Sequence, residues 1–352
     1  MSIPWNTSAE GPVAAAVPDD RPTVTLPDTM RAVVLAEAPA PPEAVTVRDL
    51  PVPTPVPGQV LIRVRAFGLN RSELHTRLGL AEGVTFPRVL GNEATGEVAA
   101  APGGELPVGQ RVVAMMGGMG RTFDGGYAEY TLIPVGQVIP VDTDLAWEVL
   151  GALPEMLQTA HGSLTVGLDA RAGETLLVRG GTSSVGLTTA RLAKARGMTV
   201  VATTRSAERA GVLTAAGVDH VVVDTGTVAP AVRALFPDGV DRALELVGAP
   251  TLLDTMAAVR VHGVACMAGI LSNRWTLPDF YPIGDIPRGV RLAGYGGDAS
   301  DLPRDVLQGY VDDVAAGRAG VSIGHVYRFD EIVQAHRDLA ADRHPGKLVV
   351  LT

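Results

Sequence analysis

Leu176-Leu177-Val178-Arg179-Gly180-Gly181-Thr182-Ser183-Ser184-Val185-Gly186 decides the fold of this chain. An apolar run reaches a pair of glycines, small hydroxyl residues follow, and residues 187–194 continue with helical spacing. The stretch therefore reads as strand, tight turn and helix. Such a turn holds phosphate, because its backbone N–H groups point at the anion and the helix N-terminus adds positive potential. The dinucleotide fingerprint G-x-G-x-x-G is met at Gly181 and Gly186, with Ser183 in place of the middle glycine. A serine there is small and brings a hydroxyl, but it can shift where the phosphates sit. Gly181, Thr182, Ser183, Ser184, Val185 and Gly186 are the first cofactor-binding candidates.

Working outward, a second apolar strand at 199–202 follows at βαβ distance. Further strands are predicted at 220–223, 242–247 and 263–268, and helices at 206–216, 228–236 and 250–260. Five strands separated by helices argue for an α/β fold with a doubly wound parallel sheet over residues 152–287. From Met30 the pattern is instead short alternating runs between Pro- and Gly-rich turns, at 31–35, 45–50, 59–66, 96–100, 111–114 and 126–133. That reads as a β domain over 30–151. Beyond 287 come a strand-like run at 291–295, a helix at 303–316, a strand at 324–329, a helix at 331–341 and the apolar end at 346–351. Residues 288–352 are expected to return to the first domain, which makes the nucleotide domain an insertion.

The 352 residues suffice for two domains with large cores. Hydrophobic content of 46% with 19% charged residues is that of a globular protein. A net charge of −9 and a pI near 5.3 argue against a nucleic-acid or anionic-membrane partner. No apolar run approaches the ~20 residues of a membrane span, so a cytoplasmic protein is expected. The single cysteine, Cys266, falls in a predicted buried strand. Residues 1–29 are rich in Ser, Pro, Ala and Asp, with neither an apolar period nor a basic start, and are expected to be a flexible extension.

Several further blocks stand out: Gly68-Leu69-Asn70-Arg71-Ser72-Glu73, Leu90-Gly91-Asn92-Glu93-Ala94-Thr95-Gly96, Gly125-Gly126-Tyr127-Ala128-Glu129-Tyr130 and Thr159-Ala160. Near the end, Ala335-His336-Arg337-Asp338-Leu339 leads to Gly346-Lys347-Leu348. With these blocks and the glycine turn, residues 30–352 resemble the medium-chain dehydrogenase/reductases, nearest to their zinc-independent quinone oxidoreductase branch. The resemblance implies a Rossmann sheet inserted in a GroES-like β-rich catalytic domain, with the active site in the cleft between them.

In the zinc enzymes of that family the block resembling 68–73 supplies a cysteine ligand, and the block resembling 91–96 a histidine. Here those positions hold Asn70 and Asn92. An amide oxygen is a poor zinc ligand beside a thiolate or imidazole. The seven histidines show no paired ligand spacing, and one cysteine cannot build a structural zinc site. No metal is expected. Charge developing in the reaction must then be met by hydrogen bonds.

For the nucleotide, NAD enzymes of this architecture place an acid after the second strand, to accept the ribose hydroxyls. Here that strand end reads Ala202-Thr203-Thr204-Arg205-Ser206-Ala207-Glu208-Arg209, with no acid before Glu208. Thr204, Arg205, Ser206 and Arg209 are candidates to cradle a 2′-phosphate. In the resembling quinone oxidoreductases a lysine at the position matching Arg209 does this, and arginine offers a bidentate fork for the same task. Both arginines also read plainly as solvated helix residues. NADPH is the expected cofactor.

The resemblance places the nicotinamide beside Asn70, Thr159 and Met267-Ala268-Gly269, whose backbone could bind the carboxamide, with Val247-Gly248 on the same face. Asn70 and Glu73 are the catalytic candidates, Asn70 to orient a carbonyl and Glu73 or His75 to relay a proton. The plainer readings are a turn residue, a buried partner of an arginine and a helix-surface residue; function is favoured for Asn70, left open for Glu73 and set aside for His75. Many relatives carry a tyrosine where Arg77-Leu78-Gly79 is followed here by Leu80, which has no proton to give. Water is then a candidate proton source. Tyr127 and Tyr130 read as packing residues, while Trp275, Phe280 and Tyr281 fit a lid and an ordinary core equally.

The leading expectation is an NADPH-dependent reductase of enones or quinones acting on a small-molecule substrate. Reduction of an isolated aldehyde, ketone or iminium is the second reading, and a nucleotide-binding protein without turnover the third. The run at 289–295 resembles the late strand that relatives use to pair two nucleotide domains, so a homodimer is expected.

Overall fold

Six parallel strands form the sheet that begins at the glycine turn, in the order His220–Val223, Thr199–Thr204, Thr175–Arg179, Val240–Glu245, Val259–Met267 and Arg291–Gly294. The structure, a computed structural model, describes residues 25–352, so most of the extension expected at 1–29 lies outside the described residues. Alternate residues of each strand serve opposite layers. Leu176, Val178, Val200 and Ala202 pack under Leu187, Ala190 and Ala193 of the helix Ser184–Ala195. Leu177, Val201, Ala243 and Ala265 meet Leu252 and Met256 of the helix Ala249–Ala257 on the other face. Burial on both faces explains why these strands read as continuous apolar runs. The strand order reverses between Thr175–Arg179 and Val240–Glu245, which opens a crevice at their carboxyl ends.

The expected boundary at 287 needs correction. Arg291–Gly294 hydrogen-bonds alongside Val264 to Met267, so the nucleotide unit runs on to Gly294 and this strand forms its edge. The helix expected over 250–260 stops at Ala257, because the chain from Val259 is already the fifth strand. Cys266 lies fully buried in that strand, and burial pushes its thiol up to about 12.

The second unit is a seven-stranded sheet. Its central strand, Gln59–Leu69, is flanked by Glu93–Ala100 and Lys347–Leu351 and also paired by Tyr130–Pro134. The strand expected over 126–133 is shorter because Gly125 and Gly126 press against the carbonyls of Gly91 and Glu93, where no Cβ would fit. Tyr127 is fully buried and stacks on Phe67 with ring centres 4.3 Å apart. Beyond two single-turn helices, Trp147–Leu150 and Pro282–Asp285, the expected set also lacks Arg71–Arg77 and Pro154–Gly162. The last of these carries Leu153, Met156 and Leu157 into a core shared with Leu307, Val311 and Val349. The last strand pairs Leu348 with Leu69, and this brings Lys347 beside Asn70 across 277 residues of sequence. Among the described residues no helix is long and apolar enough to cross a membrane.

Candidate active site in the interdomain cleft

Three adjoining cavities of about 150, 350 and 400 Å³ run along the cleft, and Arg71 lines all three. The smallest lies on the glycine turn. Gly180 takes the left-handed conformation there (φ 84°), and Gly186 sits where a Cβ would strike the carbonyls of Gly180 and Gly181. The pair Gly181 and Gly186 therefore serves close helix–strand packing rather than ligand contact. Ser183 has an ordinary extended backbone. Its Oγ donates to Gly180 O (2.8 Å) and accepts from Gly186 N (3.1 Å). The hydroxyl caps the helix, and Ser183 also lines the first and second cavities. The first-turn N–H groups of Ser184 and Val185 have no intrahelical partner, and both residues line the cavity with Thr182, Asn70, Thr159, Ala268 and Gly269. Such a cradle, built of backbone, could hold a phosphate.

The second cavity is lined by Thr204, Arg205 and Val247 at the strand ends. Arg205 and Arg209 do converge, but on a carboxylate. Asp342, from the loop before the last strand, bonds Arg205 and lies 3.6 Å from Arg209, whose Nη2 also donates to Asp342 O. Ser206 is not in the cavity wall; its Oγ accepts from Glu208 N at 3.3 Å. A carboxylate from the other domain thus occupies both arginines. Asp224, also in this wall, is engaged with both forks of the buried Arg179.

Met267 and Gly248 lie outside the cavity walls, whereas Ala268 and Gly269 line two of the cavities. The N–H groups of Ala268 and Gly269 both donate to Glu245 O, and those of Val247 and Gly248 to the Glu245 carboxylate. The backbone here can offer a carboxamide only carbonyls.

The third cavity holds Asn92, His75, Trp275, Thr159 and Tyr295 around Arg71. Asn70 caps the helix Arg71–Arg77, and Glu73 completes the capping box by accepting from Asn70 N at 2.9 Å. The other Glu73 oxygen accepts from Asn92 N at 2.8 Å, which ties the two asparagine blocks together. Burial, partly offset by hydrogen bonds from the backbone of Asn92 and of Glu73 itself, pushes the Glu73 carboxyl up to about 7. Glu73 lines none of the three cavities, and both its oxygens are held by backbone N–H groups. His75 is buried, not on the helix surface. Its Nε2 lies 3.0 Å from Asn273 Oδ1 across the cleft, and Trp275 packs edge-on against its ring. Of the three aromatics weighed as a lid, only Trp275 reaches the cavity; Phe280 packs into the sheet core and Tyr281 is exposed.

Behind Asn70 lies a charged cluster that went unrecognised. Lys347 Nζ is fully buried, bonded to Asn70 Oδ1, 2.7 Å from Glu93 and 3.3 Å from Glu155. Burial alone would push its ammonium down, but the two carboxylates more than offset this and hold it above its ordinary value. One signal was available: of 29 basic residues only two are lysines, so a retained lysine marks a position that needs a compact ammonium. Arg71 had one as well, since a cation in the first helical turn opposes the dipole.

A divalent metal does not fit this arrangement. The oxygens of Asn70, Glu93 and Glu155 already surround an ammonium, and Asn70 Nδ2 points its hydrogens at Asn92 Oδ1 and Glu93. A zinc ion placed there would meet a positive charge and N–H groups rather than lone pairs.

Comparison with known proteins agrees with this architecture. The alcohol dehydrogenase GroES-like domain family matches residues 56–143, and the zinc-binding dehydrogenase family matches residues 216–350. A quinone oxidoreductase of Rattus norvegicus is 28% identical over 333 residues, covering 92% of this chain and 98% of that protein. Prostaglandin reductase-3 of Mus musculus is 29% identical over 355 residues, covering 92% and 90%. A mycobacterial protein solved in complex with NADPH superposes with a TM-score of 0.80 at 27% identity, covering 92% of this chain and all of that one.

Proposed function

Because the chain belongs to the medium-chain dehydrogenase/reductase superfamily, as a quinone oxidoreductase-like member, we propose that it is an NADPH-dependent, zinc-free reductase of enones or quinones. The observation that carries this reading is the continuity of the cleft, from the backbone cradle at Ser184 and Val185, past Arg71, to the amide of Asn92. The residues present suit the dinucleotide. Ser184 and Val185 line the first cavity with first-turn N–H groups that suit a diphosphate, and Arg205 lines the second, with Arg209 beyond its wall, both held by an Asp342 that would have to yield to a 2′-phosphate. When bound, the cofactor supplies a hydride from its nicotinamide ring. The relatives named quinone oxidoreductase and prostaglandin reductase, and the neighbour solved with NADPH, favour the same reading.

The chain's own part is to place the acceptor and stabilise charge. Where a zinc enzyme would set a Lewis acid, this chain sets Lys347 behind two amides. An isolated alkoxide is poorly served by that arrangement. An enone asks less, because addition at the β-carbon spreads the incoming pair to the carbonyl oxygen and hydrogen-bond donors suffice there. Tyr295, the phenol lining the third cavity, has its hydroxyl committed to Asp301 at 2.8 Å and to Gln158 at 2.8 Å. Water is then the proton source for the α-carbon.

The test is turnover with 4-deuterated NADPH. Deuterium is expected at the β-carbon of a reduced enone, with solvent hydrogen at the α-carbon. Label on a carbinol carbon would establish direct carbonyl reduction instead, and no NADPH oxidation with enones, quinones or aldehydes would leave only nucleotide binding. The edge strand Arg291–Gly294, half-exposed along its length, supports a homodimer formed by pairing two such edges. Light scattering at micromolar concentration is expected to give twice the chain mass, and a monomeric mass would refute it.

A further inference from the structure

The orientation of the two amides at the end of the cleft is forced from behind. Lysine can only donate hydrogen bonds, and a carboxylate can only accept them. Asn70 is held between one of each: its Oδ1 accepts from Lys347, and its Nδ2 donates to Glu93 Oε1 at 3.0 Å. Flipping that amide would set N–H against ammonium and oxygen against carboxylate. The second hydrogen on Asn70 Nδ2 goes to Asn92 Oδ1 at 2.7 Å, so Asn70 has no N–H left for a ligand. Asn92 is fixed in turn, with its oxygen on Asn70 and its Nδ2 turned the other way. Among the described residues that Nδ2 meets no oxygen acceptor, only the sulfur of Met116 at 3.6 Å, a weak partner. Both Asn92 and Met116 line the third cavity, whose wall is shared with the cradle through Thr159, Ala268 and Gly269. The backbone of Asn92 is anchored on both sides, its N–H on Glu73 at 2.8 Å and its carbonyl on Met116 N at 2.7 Å.

We propose that the Asn92 side-chain N–H, rather than Asn70, binds the carbonyl oxygen of the acceptor, and that Lys347 and Asn70 are positioning residues that aim it. The proposal rests on the reductase reading above. It assigns the donor of that site to a residue placed at a former metal-ligand position, and it gives the buried lysine a task distinct from packing. A donor fixed before substrate arrives needs no reorganisation as charge builds on the oxygen.

The chain has four asparagines, Asn6, Asn70, Asn92 and Asn273, so protein labelled with nitrogen-15 only at asparagine gives four side-chain amide signals by NMR. The Asn6→Asp, Asn92→Asp and Asn273→Asp variants assign them, the fourth signal being Asn70 by difference. Adding cyclohex-2-enone to the wild-type complex with NADP+ is expected to shift an Asn92 amide proton downfield and leave the Asn70 pair in place. Asn92→Asp keeps the acceptor for Asn70 but removes the donor; kcat for enone reduction is expected to fall about 100-fold with NADPH affinity unchanged. Lys347→Gln, whose amide can accept as well as donate, is expected to abolish the enone-induced Asn92 shift while NADPH binding persists. A stationary Asn92 signal, a moving Asn70 signal or wild-type kcat in Asn92→Asp would overturn the proposal. A retained Asn92 response in Lys347→Gln would overturn the relay. If Asn92→Asp fails to fold, the wild-type titration decides alone. A wild type that oxidises no NADPH defeats the reductase reading, whereas turnover with a silent Asn92 defeats only the donor assignment.

Discussion

At the glycine turn the cleft is walled by backbone, and at Asn92 it is walled by side chains. The first wall draws on one short segment, Gly180 to Gly186, in which each residue is set by its neighbours through a left-handed glycine, a serine cap and a close helix packing. The second draws on Asn70, Asn92, Glu93, Glu155 and Lys347, which come together only when four separate segments have docked. A backbone cradle suits the constant part of a dinucleotide. A side-chain network can be re-specified by single substitutions, so it suits the part of the reaction that differs between relatives. The two ends should therefore fail differently.

The largest effect is expected at the side-chain end. Lys347→Met leaves Glu93 and Glu155 buried without their cation, at a cost of about 3–5 kcal/mol, read as a fall in unfolding free energy in urea. Adding Glu93→Gln and Glu155→Gln to the same chain should recover most of that loss. If the single variant is as stable as wild type, the cluster is solvated and the contrast between the two ends collapses.

A middle-sized effect belongs to the phosphate side. Arg209→Ala should weaken NADPH by about 1.5–3 kcal/mol, the worth of a hydrogen bond to a charged group, while NADH binding changes little. Fluorescence titration of both cofactors checks this, and equal wild-type affinity for the two would refute the assignment. The smallest effect sharpens it. Asp342→Asn removes the carboxylate that holds Arg205 and Arg209, and NADPH is expected to bind tighter by about 1 kcal/mol, the order of one exchanged charged contact. Weaker binding would show that Asp342 orients the arginines rather than competing for them.

The same contrast explains what could be read in advance. Turn and helix over 176–194 are local, so spacing alone revealed them and the apolar strands on either side, while the Ser183 cap emerged only with the structure. The helix Arg71–Arg77 escaped because its seven residues are too few for a period to emerge. The edge strand at Arg291–Gly294 was legible as a run, but the boundary set at 287 cut it from its sheet, because edge strands carry half the apolar pattern of central ones. Asn70 and Asn92 were visible as departures from a metal-binding pattern. Their mutual orientation was not, because it depends on Lys347, which the chain delivers only with its last strand. Asp342 was hidden for a related reason: the carboxylate that occupies both arginines comes from a loop on the other domain.

Cys266 gains meaning from the substrates proposed. Enones and quinones are electrophiles that alkylate thiolates, so an enzyme that concentrates them in a cleft exposes its own sulfur to them. This chain has one thiol, enclosed in the core of the parallel sheet beneath Tyr295, with its ionisation pushed up to about 12. At neutral pH almost none of it is thiolate, and none of its surface is open. The fold thereby keeps the sulfur of Cys266 out of reach of electrophiles of that class.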